Sequence, residues 1–275
     1  MNYYIFTDLD GTLLNHDNYT LGRVKRFINK IKLKNHIIFS TSKTFSEILD
    51  INKKLDLNFP FIVENGACIF FPSNYSFSDF NKAKFFNHKN YLGYKLSELS
   101  PKFIENKLYK LQKKYNFILF SQLKLHQLSK ITNLKNNSLI NCTKRLFTNP
   151  IYWKDSEKKI KLFISDIKKI SNNLQISKGG RFYHLADHYN KGTALMKFLE
   201  IIKFSEKINF KTISLGDSEN DISMLEQTDY SCIVKREKVK ISLKKNDNIY
   251  YSIKKAPDGW KESIEFILNR ENKYS

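Results

Sequence analysis

Four aspartates fall where carboxylates can work as a group. Asp8 and Asp10 stand two residues apart after a short β-rich run, Asn2-Tyr3-Tyr4-Ile5-Phe6-Thr7. That spacing sends both side chains to the same side of an extended chain. Asp217 closes a second β-run, Lys211-Thr212-Ile213-Ser214-Leu215-Gly216, and Asp221 follows four residues later on the same face of a helical turn. Carboxylates brought together repel one another unless a cation neutralises them. Hard oxygen ligands with no His or Cys nearby select Mg²⁺. Asp8, Asp10, Asp217 and Asp221 are therefore the candidate metal residues. One of them alone would read as a helix cap or loop acid. The set, each member following a β-run, points to a shared site.

Two further groups suit an anionic ligand. Thr41 follows the run His36-Ile37-Ile38-Phe39-Ser40, so its hydroxyl can face a phosphate oxygen. Lys191 precedes Gly192 at a helix entrance, where an ammonium and backbone N–H groups would meet an anion.

The elements that must hold these groups alternate. Apolar residues at 21, 24, 27, 28 and 31 predict a helix over 21–33, and 44–55 reads as another. Phe61-Ile62-Val63 is a third strand, closed by Glu64-Asn65-Gly66. Strand–helix alternation implies βαβ units and a parallel sheet, whose carboxyl ends border the ligand crevice. The middle is different: from about 82 to 175 it is polar and rich in Lys and Asn. It predicts helices at 101–115, opened by Ser100 and Pro101, and at 155–170, with a strand at 117–120. Acids do not cluster at its strand ends, so it reads as a cap. Alternation resumes with a helix at 191–202, a strand at 211–215, a helix start at 221–226 and a strand at 232–234. The expected division is a core of 1–81 and 186–275 interrupted by a cap of 82–185.

Composition narrows the class. The chain has 275 residues, 41% of them hydrophobic, enough to bury a core. No apolar run approaches the ~18 residues of a membrane span. The first ten residues carry two acids, unlike a secretory signal. Lys and Arg number 47 against 27 acids, a formal charge of +20, yet only 6 are Arg and the lysines are scattered. That favours a solvated basic surface over a nucleic-acid face, and a positive field assists the approach of a small anion. Cys68, Cys142 and Cys232 show no paired spacing, so neither a Cys-based zinc site nor a disulfide framework is expected. A cytoplasmic monomer or homodimer with no nucleic-acid or membrane partner is expected.

Asp8-Leu9-Asp10-Gly11-Thr12, Thr41, Lys191 and Gly216-Asp217-Ser218-Glu219-Asn220-Asp221 resemble, in order and spacing, the four motifs of the haloacid dehalogenase-like phosphatases. Ser40-Thr41-Ser42-Lys43-Thr44, Phe61-Ile62-Val63-Glu64-Asn65-Gly66-Ala67 and Gly179-Gly180-Arg181-Phe182-Tyr183-His184-Leu185 look like the mannosyl-3-phosphoglycerate phosphatase family. The resemblance implies an α/β fold: a Rossmann-like three-layer core with a parallel sheet plus an inserted C2-type α/β cap. It implies Asp8 as nucleophile, forming an aspartyl-phosphate, and Asp10 as acid and then base at the leaving oxygen and water. It implies Mg²⁺ held by Asp8, the Asp10 carbonyl and Asp217, with Asp221 orienting metal waters or Lys191. Lys191 and Thr41 would stabilise charge on the phosphoryl group. Lys43, Asn65, Arg181 and His184 would bind the rest of a small anionic glycosyl-phosphoglycerate, and Glu64 would orient its loop. The implied reaction converts mannosyl-3-phosphoglycerate to mannosylglycerate, a compatible solute. A related substrate such as glucosyl-3-phosphoglycerate is the alternative, and a non-catalytic basic binding protein on the same fold is the rival of another class. The chain departs from the family in its cap. An Arg-Glu-aromatic-Ser-Glu-Pro stretch is replaced by Arg145-Leu146-Phe147-Thr148-Asn149-Pro150, which loses both acids.

Overall fold

The structure is a computed structural model and describes residues 2–75, 85–205, 210–237, 239–244 and 247–272. Two sheets divide it. Among the described residues the larger has nine strands, numbered along the chain: β1 (Tyr3–Thr7), β2 (His36–Ser40), β3 (Phe61–Val63), β4 (Cys68–Pro72), β5 (Phe85–His88), β6 (Tyr91–Lys95), and later β11 (Lys211–Gly216), β12 (Tyr230–Lys235) and β13 (Ile249–Lys255). Their order is β13-β12-β11-β1-β2-β3-β4-β6-β5. From β13 to β3 every pairing is parallel; β4, β6 and β5 add an antiparallel edge. The smaller sheet is antiparallel and orders β7 (Phe117–Leu119), β8 (Ile151–Trp153), β10 (Phe182–Ala186) and β9 (Gln175–Gly179).

Both faces of the large sheet are covered, which is why β1 is apolar at nearly every position. Tyr3 and Ile5 point into a core shared with helices α1 (Val24–Ile31) and α2 (Phe45–Leu55) and with the helix Asp258–Asn272, through Ile28, Ile48 and Trp260. Tyr4 and Phe6 point the other way, against Ala194, Leu195 and Phe198 of α7 (Lys191–Ser205). This is the three-layer core. In the cap, α3 (Pro101–Gln112) and α6 (Glu157–Ile170) cover one face of the small sheet through Ile104, Leu108, Phe163 and Ile167. The other face carries α4 (Leu125–Thr132) and α5 (Asn136–Cys142), and looks toward the core.

The predicted elements map closely onto the observed ones, with physical reasons for the differences. The first helix starts at Val24 rather than 21, because Gly22 sits at φ +53°, outside helical geometry. Ser100 caps α3 by accepting from the Phe103 N–H, whereas Ser156 makes no such bond at α6. The expected core–cap boundary at 81/82 lies outside the described residues. Beyond it, β5 and β6 pair into the large sheet, and the small sheet begins with β7 at Phe117. All three cysteines are buried and unbridged. Among the described residues no helix is long and apolar enough to cross a membrane.

Candidate active site

The candidate groups meet at the carboxyl ends of three neighbouring parallel strands. Thr7 of β1 pairs with Leu215 of β11, and the Asp8 N–H continues the ladder to the Leu215 carbonyl at 3.0 Å. That register brings Asp8 beside the Gly216–Asp217 turn, though 209 positions separate Asp8 from Asp217 in sequence. On the other flank, the Thr41 N–H extends the β2–β3 pairing to the Ile62 carbonyl, 3.1 Å. Gly11, at φ +89°, makes room for Asp217: a Cβ there would lie 2.6 Å from Asp217 Oδ2.

Lys191 is the hub. Its buried ammonium donates to Asp8 Oδ1 and to Asp221 Oδ1, both at 2.6 Å. The second oxygen of Asp221 accepts from the N–H groups of Asp217 and Ser218, each at 3.0 Å. Asp221 is thus fully engaged in holding Lys191 and the 217–218 turn. Asp8, Asp217 and Asp221 each offer an oxygen within 4.8 Å of the others. Asp10 does not join this cluster through its side chain. Its Oδ2 faces Lys43 Nζ at 2.8 Å, and its Oδ1 is buried without a partner.

The electrostatics are those of a site short of positive charge. Burial pushes the Asp8 carboxyl up to about 7 despite Lys191. Burial, reinforced by Asp221 and Asp8, raises Asp217 to about 8. Lys191 goes the other way: burial disfavours its charge, but Asp221 and Asp8 outweigh that and hold its pKa above the ordinary lysine range. Lys43 is likewise held up, by Asp10 and Glu47 against burial. A divalent cation would relieve the Asp8–Asp217 repulsion, so the residues present fit a hard cation.

Other predicted residues sit around this centre. Thr41 is fully buried, and its hydroxyl accepts weakly from the Lys43 N–H at 3.3 Å. Asn65 accepts from Asn220 Nδ2 at 3.2 Å and leaves its own Nδ2 unpaired. A cavity opens between the sheets, bordered by Asp8, Asp10 and Lys43 on the core side and by Arg145, Arg181 and His184 on the cap side. His184 is buried, chiefly desolvation lowers its pKa to about 3, and its Nδ1 has no partner. Arg181 is exposed and donates to the Tyr19 hydroxyl at 3.1 Å, which itself donates to the Thr132 carbonyl of the cap at 2.7 Å.

The Glu64 carboxylate acts across the core–cap junction. Fully buried, it accepts from the N–H groups of Leu146 and Thr148 at 2.8 Å and from the Thr148 hydroxyl at 2.6 Å. It fastens the altered cap stretch to the core. In that stretch Asn149 bonds within the cap, to Ser121 and Pro101. Arg145 reaches the Ser42 carbonyl at 2.8 Å.

Sequence reading missed Arg236. It lies just beyond β12, donates to Asp217 Oδ2 at 2.8 Å and borders the cavity. The available signal was its place after a strand of the same parallel sheet, Cys232-Ile233-Val234. Tyr19 and His16, also at the cavity, carry no local signal of that kind.

The loop geometry yields a stability prediction. Gly66 sits at φ +103°, and a Cβ there would overlap the Asn190 carbonyl oxygen next to Lys191. Gly66→Ala combines backbone strain of about 1–3 kcal/mol with that collision. It should lower the denaturation midpoint and displace Lys191, reducing activity. An unchanged chemical-denaturation midpoint would contradict this packing.

A family model for haloacid dehalogenase-like hydrolases matches residues 5–263. A glucosyl-3-phosphoglycerate/mannosyl-3-phosphoglycerate phosphatase of Persephonella marina is 34% identical, over 96% of this chain and 97% of that protein. A protein of the same name from Methanococcoides burtonii is 30% identical over 99% of each. Among solved structures, a haloacid dehalogenase-like hydrolase from B. subtilis superposes with a TM-score of 0.64 at 16% identity, covering 97% of this chain and 98% of that one. With the strand-end aspartates and the two-sheet architecture in place, the extent of these matches shows that the chain belongs to the haloacid dehalogenase-like hydrolases.

Proposed function

We propose that this protein is a Mg²⁺-dependent phosphatase that hydrolyses mannosyl-3-phosphoglycerate, and its glucosyl counterpart, to the glycosylglycerate and phosphate. The observation that carries the reaction is Lys191 bridging Asp8 and Asp221 beside Asp217. The substrate reading rests on the names of the two full-length relatives, which include both sugars.

Asp8 attacks phosphorus through the carboxylate oxygen not held by Lys191. The phosphate ester bond breaks, and the glycerate oxygen leaves with a proton from Asp10. Water, deprotonated by Asp10, then cleaves the aspartyl-phosphate and restores Asp8. Asp10 borders the cavity, with one oxygen on Lys43 and the other unpaired. Lys191 keeps Asp8 aimed and stabilises charge on the transferring group, aided by the Thr41 hydroxyl. Asp8, Asp217 and the Asp10 carbonyl would hold Mg²⁺, with Asp221 acting through Lys191 and the loop. When bound, Mg²⁺ screens the anionic phosphate from the anionic nucleophile. On the cap side, Arg181, His184 and Arg145, with Lys43 opposite, border the space for the glycosyl-glycerate part, and Asn65 stands beside it through its bond to Asn220.

Phosphate release from mannosyl- and glucosyl-3-phosphoglycerate, beside simple sugar phosphates, tests this directly. The glycosyl-phosphoglycerates should give the highest kcat/KM. Preference for a plain hexose phosphate would move the substrate assignment elsewhere in the family.

The raised carboxyls add a pH prediction. Between the ordinary carboxylate value of 3.8 and about 7–8, the folded metal-free chain keeps protons on Asp8 and Asp217 that the unfolded chain has lost. Rising pH through that window therefore removes stability, and above it the ionised pair is fully destabilising. Mg²⁺ binds the ionised pair, so its stabilisation should be greater at pH 8 than at pH 6. Thermal melts with and without MgCl₂ at the two values check this. Equal increments would contradict it.

A further inference from the structure

We propose that Arg236 is an anion-binding arm, which Asp217 holds in the metal-free chain and which a divalent cation on Asp217 releases into the cavity. The inference rests on the metal-dependent phosphatase reading and adds a residue and a coupling to it. Both oxygens of Asp217 are in use: Oδ1 accepts from the Thr12 hydroxyl at 3.0 Å and Oδ2 from Arg236 Nη1 at 2.8 Å. Thr12 is neutral and shares an oxygen with a cation readily. Arg236 shares it less readily: a dication and a guanidinium on one carboxylate repel, and Arg236, unlike Lys191 pinned between Asp8 and Asp221, is free to leave.

The charges around the cluster point the same way. Without metal, Asp8, Asp217 and Asp221 face two cations, Lys191 and Arg236. A dication turns that deficit into a local positive excess, which an incoming phosphate offsets. Lys191 cannot move, being fully buried between two carboxylates. Arg236 can: its side chain is about a quarter exposed, at 23%, and it borders the same cavity as Asp8 and Asp10. Its other contact, Nη2 to His16 Nε2 at 2.6 Å, is to a half-exposed neighbour that also borders the cavity. A guanidinium fork freed there matches a phosphate or carboxylate in two-point geometry. Metal and anion then bind cooperatively through a side chain of this protein, beyond any direct contact between them.

Titration calorimetry of the full chain with Mg²⁺ alone, and then with inorganic phosphate at saturating Mg²⁺, tests the arm. Arg236→Ala and Arg236→Gln should bind Mg²⁺ alone at least about fivefold more tightly than the wild type, because a competitor for Asp217 is gone. The same variants should bind phosphate about ten- to a hundredfold more weakly. Arg236→Lys, which keeps the charge, should stay near the wild type in Mg²⁺ affinity. A residue that merely positions Asp217 predicts the opposite sign, weaker Mg²⁺ binding on truncation. Unchanged or weaker Mg²⁺ binding, or unchanged phosphate binding, overturns the proposal while leaving the phosphatase reading standing. Absence of any Mg²⁺ binding to the wild type overturns both.

Discussion

Asp8→Asn should lower turnover by at least about 10³-fold. The substitution keeps the side chain's shape and its place at the end of β1, but removes the charge proposed to attack phosphorus, and a member of a covalent catalytic set does not act in isolation. Folding should survive. The wild-type carboxyl is already pushed up to about 7 by burial, so a neutral amide removes an unfavourable charge rather than a favourable one. Mg²⁺ and phosphate should still bind, since Asp217 remains. Phosphate release at saturating substrate, beside calorimetric binding, separates the two effects. Near-normal turnover in Asp8→Asn would remove Asp8 from the chemistry.

Lys191→Met should harm both stability and rate. Its ammonium is fully buried and spans Asp8 and Asp221 at 2.6 Å each. Removing one partner of a buried ion pair leaves uncompensated charge and typically costs about 3–5 kcal/mol. Loss of a donor aimed at developing charge costs a further ~10²–10³ in kcat. Because Lys191 is proposed to act on the phosphoryl group, a glycosyl-phosphoglycerate and a plain aryl phosphate should suffer alike. Mg²⁺ should restore part of the lost stability by taking over the carboxylates. A variant that loses activity on only one of the two substrates would place Lys191 at the variable part of the substrate.

The core was readable because its physics is local. Tyr3–Thr7, His36–Ser40 and Lys211–Gly216 are buried on both faces, so they stand out as β-rich runs, and the catalytic candidates sit just after them. α2 declares its start through Thr44 and Glu47, whose side chains each bond the other's backbone N–H. The strands at the antiparallel edge did not declare themselves. β5 is only half-buried, and its polar residues blend into the composition of the cap.

The site was readable in part, for a similar reason. Motif residues follow strands, but their mutual contacts do not appear in local spacing. Glu64 meets its partners 82–84 residues away, across the core–cap junction, and Arg236 reaches Asp217 across 19 residues, from beyond the next strand. Spacing to Asp8 puts Asp10 among the metal residues, and the family resemblance already implies its backbone carbonyl as the ligand. The fold turns its side chain to Lys43, and leaves its backbone carbonyl as the proposed ligand.

The most direct measurement concerns the covalent intermediate. Asp10→Asn keeps the nucleophile and the Lys191 bridge but lacks the group proposed to activate water. With an aryl phosphate, whose leaving group needs little help from an acid, attack should outrun hydrolysis. Acid quench followed by peptide mass analysis should then find one phosphoryl group on the peptide that contains Asp8. A phosphoryl group on another residue, or none at all while the wild type hydrolyses the same substrate, would contradict a phosphatase that works through Asp8.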